Sequence, residues 1–122
     1  MHEHGPRGGD EINVIRERDS IREEPLLTRN YGWPIVSNGI NYNGTSFTNL
    51  TSMEGTESPL YFWTPSIAPS GMVMLTSDIY DEWKGNLFIG SLRFRYLERV
   101  ELIGNYVYKR EKLLDRVGRV RE

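Results

Sequence analysis

From residue 59 onward the chain is a succession of strand-length apolar runs separated by turn residues, and this rhythm restricts the fold more than any other feature. The runs are "PLYFW", "GMVML", "GNLFIGSL", "RYLERVEL" and "NYVYKREKLL". β-Branched and aromatic residues recur through them, as they do in strands. In one stretch Phe94, Tyr96, Val100 and Leu102 fall on one face of an extended chain, while Arg93, Arg95, Arg99 and Glu101 fall on the other. "DEWKGN" and "IGN" read as turns. Four consecutive strands joined in this way predict an all-β, antiparallel four-stranded meander, the unit of a propeller blade or of one sheet of a sandwich. "YKREKLLDRVGRVRE" also has a helical register through Leu113, Leu114, Val117 and Val120. Gly118 inside that register, and the β-branched and aromatic residues just before it, favour the strand. A lone sheet with aromatics on both sides cannot bury both faces, so flanking sheets are expected.

The first half of the chain has a different texture. Ile12 and Val14 alternate with Glu11 and Asn13 as in a half-buried strand, and the pattern stops in the charged run "RERDSIREEP". "NYGWPIVSNGINYNGTSF" combines Asn, Gly and Pro with large rings, which is turn chemistry rather than helix. At the start, "HEHGPRGGDEINVI" invites three readings: a metal loop, an anion cradle or a corner before a strand. Gly5, Gly8 and Gly9 reach backbone conformations closed to other residues and Pro6 fixes one dihedral, so the loop can aim carbonyl oxygens in one direction. That suits a hard cation, and the same letters also suit a plain turn.

Composition removes several function classes. A chain of 122 residues, 38% apolar and 26% charged, holds one modest globular domain. The net charge of -2, with both signs mixed along the chain, argues against a nucleic-acid or membrane-surface partner. No signal peptide opens the chain, and no apolar run approaches the roughly 18 residues of a membrane span. The absence of cysteine excludes thiolate metal sites, disulfides and cysteine catalysis. "PSIAPSG" has hydroxyls without a triad-like context, and Asp78, Asp81 and Glu82 read as a solvated hairpin loop.

Six motifs, "GPRGGDEINVI", "NYGWPIVSNGINYNG", "WTPSIAPSGM", "WKGNLFIGSL", "YLERVEL" and "GRVRE", occur in this order. The chain thereby resembles the soluble pyrroloquinoline-quinone-dependent glucose/sorbosone (aldose sugar) dehydrogenases. The resemblance implies a six-bladed β-propeller. This chain would be a fragment of it, about one complete blade at residues 67–114 with parts of its two neighbours. It also implies oxidation of aldose sugars at the anomeric carbon, with pyrroloquinoline quinone and calcium as cofactors, an external electron acceptor and work in the bacterial periplasm.

Carried over motif by motif, the resemblance assigns cofactor contacts to Tyr42 in "GINY", to Arg93 in "GSLR" where the family usually has lysine, and to Arg119 and Arg121 in "RVRE". Tyr61 and Trp63 are candidates for the same cavity. The backbone oxygens of Gly5 and Pro6 match the calcium that carries the quinone, and Glu11 and Tyr31 match a second, structural calcium position. The family's catalytic histidine belongs to the part that would precede residue 1, and neither His2 nor His4 matches it. No catalytic residue is therefore assigned, and the chain alone is expected to be inactive. The segment 16–29, "RERDSIREEPLLTR", is longer than the usual link between the two calcium motifs. The rival reading is a non-catalytic β module with a sugar-binding or structural role. Bare sheet edges further predict self-association.

Overall fold

The computed structural model describes residues 1–15 and 29–121. Among the described residues the chain forms two antiparallel sheets. The first has three short strands, β1 (His2–Glu3), β2 (Asp10–Ile12) and β3 (Tyr61–Trp63), in that order. The second is a four-stranded meander of β4 (Pro69–Met74), β5 (Leu87–Ser91), β6 (Leu97–Ile103) and β7 (Tyr106–Leu113). The expected all-β meander is present, and "YKREKL" pairs along β6 as a strand rather than coiling into a helix. Among the described residues no helix is long and apolar enough to cross a membrane. The charged segment between "DEIN" and "NYGWP" lies almost wholly outside the described residues.

Turn chemistry sets the registers. Ile103 pairs with Tyr106, leaving Gly104 and Asn105 as a two-residue connection, and Gly104 takes φ +57 at the first central position, which favours glycine. The β4–β5 connection holds a feature the sequence reading missed. Asp78–Trp83 form a 3-10 helix, capped where the Ser77 hydroxyl accepts the Ile79 N–H, ahead of the expected turn at Gly85.

The strand expected from residue 93 starts later, at Leu97. Arg95 adopts a left-handed backbone at φ +62, and Ser91 closes the turn by accepting the Arg95 N–H on its carbonyl and the Phe94 N–H on its hydroxyl. Arg93, Phe94 and Arg95 therefore belong to a turn, not to alternating strand faces. β2 also departs from the half-buried pattern, since Asp10, Glu11 and Ile12 are all buried.

The core lies between the sheets, with Ile12 and Trp63 from the first meeting Ile89 and Val100 from the second and Tyr96 just ahead of β6. Trp63 Nε1 donates 2.9 Å to Glu98 Oε2, and Arg110 donates 3.1 Å to Glu98 Oε1, so a buried carboxylate joins β3 to β6 and β7. Arg99, on the opposite side of β6, is buried as well. It donates from Nε and Nη2 to Glu111 and from Nη1 to Asn86, with its guanidinium 5.3 Å over Trp83. On this second face Met72, Val73, Leu75, Tyr80, Trp83 and Phe88 line an open apolar groove of about 630 Å³.

Ile89 is fully buried between the sheets, whereas Ile79 is 82% exposed on the 3-10 helix. Ile89→Ala is expected to lose about 2–5 kcal/mol in urea unfolding through the cavity it leaves, and Ile79→Ala less than about 0.5 kcal/mol. Equal losses would mean that the core does not lie between the sheets.

Candidate functional site

Asp10, 1% exposed at the start of β2, organises the opening loop. Its Oδ1 accepts the Gly5 N–H and the Ser66 hydroxyl, each at 2.9 Å, and its Oδ2 accepts the Ala68 N–H at 2.8 Å. A buried carboxylate is tolerable only when donors surround it, and three do. The Gly8 N–H donates to Ser66 Oγ at 2.9 Å, and the Gly9 N–H to the Trp63 carbonyl at 2.8 Å. Arg7 exchanges two backbone hydrogen bonds with Ile40, which ties the loop to the "NGINY" segment.

The glycines are there because backbones meet. A Cβ on Gly5 would overlap the Gly8 carbonyl oxygen, and one on Gly9 would sit 2.6 Å from the Gly39 nitrogen. Held in this way, the loop leaves the carbonyl oxygens of Gly5 and Pro6 without a hydrogen-bond donor among the described residues. His4 is engaged elsewhere, donating from Nε2 to the Pro69 carbonyl at 2.6 Å.

Beside the loop lies a cavity of about 230 Å³ lined by Glu3, Gly5, Gly9, Glu11, Trp33 and Ser37, among others. Glu3 and Glu11 are directly opposed across the β1–β2 ladder. The Asn13 amide bridges them, 2.5 Å from Glu3 Oε1 and 3.5 Å from Glu11 Oε2, and Asn38 donates to the other Glu11 oxygen at 3.4 Å. Burial pushes the Glu11 carboxyl above its ordinary range, against the pull of the Asn38 and Asn13 amides. The Oδ1 of Asn13 is buried without a partner among the described residues. Carboxylates, an amide oxygen and backbone carbonyls are the hard donors that calcium accepts.

The expected site residues separate into groups. Gly5 and Glu11 line one cavity, whereas Pro6 and Tyr31 do not line it, and the Tyr31 hydroxyl donates 3.1 Å to the Val14 carbonyl. Tyr42 is 79% exposed in a turn closed by Asn41 and Thr45. The Arg93 Nη1 donates 3.1 Å to the Ser66 carbonyl and its guanidinium stacks 5.0 Å from Phe94. Arg119 and Arg121 are exposed in a segment outside the strands, held where the Ser70 hydroxyl donates 2.6 Å to the Val120 carbonyl between them. Trp63 is buried in the core, and beside it Tyr61, Phe94, Tyr96, Arg110 and Lys112 help to line a separate pocket of about 240 Å³. Sequence reasoning missed Asp10 and Ser66, whose four side-chain hydrogen bonds hold the opening loop. The only signal for them was an acid immediately after a double glycine, and a serine in a stretch read as a turn.

A family model of glucose/sorbosone dehydrogenases matches residues 1–122. The chain is 38% identical over 125 residues to the aldose sugar dehydrogenase YliI of Escherichia coli (strain K12), covering all of this chain and 31% of that protein. Among solved structures, a glucose dehydrogenase crystal structure superposes with a TM-score of 0.84 at 41% identity, covering 98% of this chain and 33% of the other. The soluble aldose sugar dehydrogenase of Escherichia coli in its apo-form gives a TM-score of 0.74 at 35% identity, covering 98% of this chain and 30% of the other. The chain thus spans about a third of the length of the relatives it matches.

Glu11 and Glu98 both have carboxyls raised above the ordinary value of 4.5, mainly by burial. Such groups bind protons more tightly in the folded chain than in the unfolded one. Their contribution to stability is therefore fully present below the ordinary value and is lost as pH rises through the raised folded values. In chemical unfolding from about pH 4 to about pH 8, Glu11→Gln is expected to flatten this fall. An unchanged pH slope would show that Glu11 titrates as an exposed acid does.

Proposed function

Because the chain belongs to the glucose/sorbosone dehydrogenase family, we propose that it forms part of a quinoprotein that oxidises aldose sugars at the anomeric carbon and passes the electrons to an external acceptor. The observation that carries this reading is the opening loop, in which Asp10 fixes the Gly5 peptide while the Gly5 and Pro6 carbonyls meet no donor among the described residues. Oxygen donors on a rigid backbone fit calcium, which takes six to eight oxygens with loose geometry. When bound, pyrroloquinoline quinone supplies the two-electron oxidising centre, and calcium polarises its accepting carbonyl.

The chain's own residues have separate tasks. Gly5 and Pro6 would hold the ion through backbone oxygens, and Glu11 would serve a second, structural ion; Tyr31 is assigned to that ion on the resemblance alone, since it does not line the Glu11 cavity. The guanidinium groups of Arg93, Arg119 and Arg121 supply cations for the carboxylates of the quinone, for which a planar fork is well suited. Tyr42, with its ring 79% exposed, offers a flat wall. His4 is a poor partner for so hard an ion, and its ring is spent on the Pro69 carbonyl. The proton-abstracting role is assigned to none of the described side chains, and on the family resemblance the isolated chain is expected to be inactive. The apolar groove on the second face of β4–β7 is where another sheet would stack, and in the isolated chain a second copy would cover it. The periplasm is assigned on the resemblance alone.

Calorimetry with the quinone and calcium tests this reading. Quinone binding is expected to require calcium, to weaken in Pro6→Ala because the loop loses its fixed dihedral, and to survive in His4→Ala. No glucose-dependent reduction of an artificial acceptor is expected from the chain alone. Turnover by the chain would mean that the base is present in it, and quinone binding indifferent to calcium would favour a β module without this chemistry.

A further inference from the structure

We propose that Ser66 is a positioning residue that couples the opening loop to the Arg93 guanidinium, so that the two are set by one hydrogen-bonded splint. The splint is the segment Ser66–Ala68, which meets the loop on one side and the Ser91–Arg93 turn on the other. Toward the loop, the Ser66 hydroxyl donates to Asp10 Oδ1 and accepts the Gly8 N–H, both at 2.9 Å, and the Ala68 N–H donates to Asp10 Oδ2 at 2.8 Å. A hydroxyl has one proton to give and lone pairs to receive, and this geometry uses both capacities. Toward the turn, three successive carbonyls accept. Ser66 takes the Arg93 Nη1 at 3.1 Å, Ile67 takes the Arg93 N–H at 3.2 Å and the Ser91 hydroxyl at 2.8 Å, and Ala68 takes the Leu92 N–H at 3.1 Å.

The splint is over-determined at both ends, which is how Ala68 is kept at φ +52, a left-handed backbone that non-glycine residues seldom adopt. Arg93 is otherwise an exposed arginine stacked on Phe94, and a side chain with so many rotamers needs a fixed acceptor to point one way. The Ser66 carbonyl is that acceptor. The Gly5 N–H shares Asp10 Oδ1 with the Ser66 hydroxyl, so a shift of Ser66 is felt both at the candidate calcium carbonyls and at the candidate quinone-binding cation. The functional consequence rests on the quinone reading above, whereas the coupling itself does not.

Amide hydrogen exchange on the free 122-residue chain, compared among wild type, Ser66→Ala and Ser66→Thr, tests the coupling without any ligand. Ser66→Ala is expected to speed exchange at Gly5, Gly8 and Arg93 together by roughly tenfold or more, leaving the β6 amides unchanged, and Ser66→Thr to restore protection. Faster exchange at Gly8 with Arg93 still protected, or a uniform rise that includes β6, would overturn the splint. The second arm is calorimetric binding of pyrroloquinoline quinone with calcium to Ser66→Ala, Arg93→Ala and the double variant. Each single change is expected to weaken binding roughly tenfold, and the double change no more than the stronger single one. Additive losses would show that the two residues act independently. A wild-type chain that binds no quinone would refute the quinone reading and leave the exchange result to decide the coupling.

Discussion

One buried carboxylate underlies the arrangement of this chain. Asp10 sits where β2 leaves the opening loop, and its two oxygens gather donors from residues 5, 66 and 68, five residues and more than fifty residues away along the chain. Taking an ionised group out of water is costly, and it is tolerated where charge-assisted hydrogen bonds replace the lost solvation. Here those bonds also fix geometry. They bring the end of the first sheet against the start of the second and hold the glycine backbone close enough that side chains are excluded.

A second pair of compensated charges secures the meander. Glu98 faces the first sheet and is held by Trp63 and Arg110, while Arg99, its chain neighbour, faces the opposite way and is held by Glu111 and Asn86. Neighbouring residues of a strand point to opposite faces, so each face of β6 carries one buried charge with its own partners. Removing one partner would strand the other charge away from water, which makes such pairs strict about register even where their net stabilisation is small. The second face ends in an apolar groove, as expected for a sheet built to lie between two others.

What could be read from the sequence follows from which interactions are local. The strands β4 to β7 and the Gly104 turn depend on neighbouring residues, and their pattern was visible. The late start of β6 depends on Ser91 closing a turn over Arg95, and the 3-10 helix depends on Ser77, details that alternation of apolar letters does not encode. Arg99 and Glu98 read as one exposed and one unassigned charge because their partners, Glu111, Asn86, Trp63 and Arg110, are distant in sequence or lie on another strand. Of the candidate site, the close-packed glycine loop is legible in its letters, whereas Glu11 is singled out only by the family resemblance. Asp10 and Ser66 are not legible, since a lone acid and a lone serine carry no sign of the fifty-odd residues that separate them. Arg119 and Arg121 form a visible pair in the sequence, but what ties their segment to the sheet is the Ser70 bond to the Val120 carbonyl, again a long-range contact.

Asp10 carries the arrangement most directly, and equilibrium unfolding of Asp10→Asn measures its contribution. An asparagine side chain keeps one acceptor oxygen but turns an amide N–H₂ toward one of three donors, leaving it unpaired in a buried site. A loss of about 2–3 kcal/mol in urea unfolding at neutral pH is expected, because both the charge-assisted bonds and the satisfaction of a buried donor are removed. A variant within about 0.5 kcal/mol of wild type, the range expected for an unremarkable surface change, would contradict it.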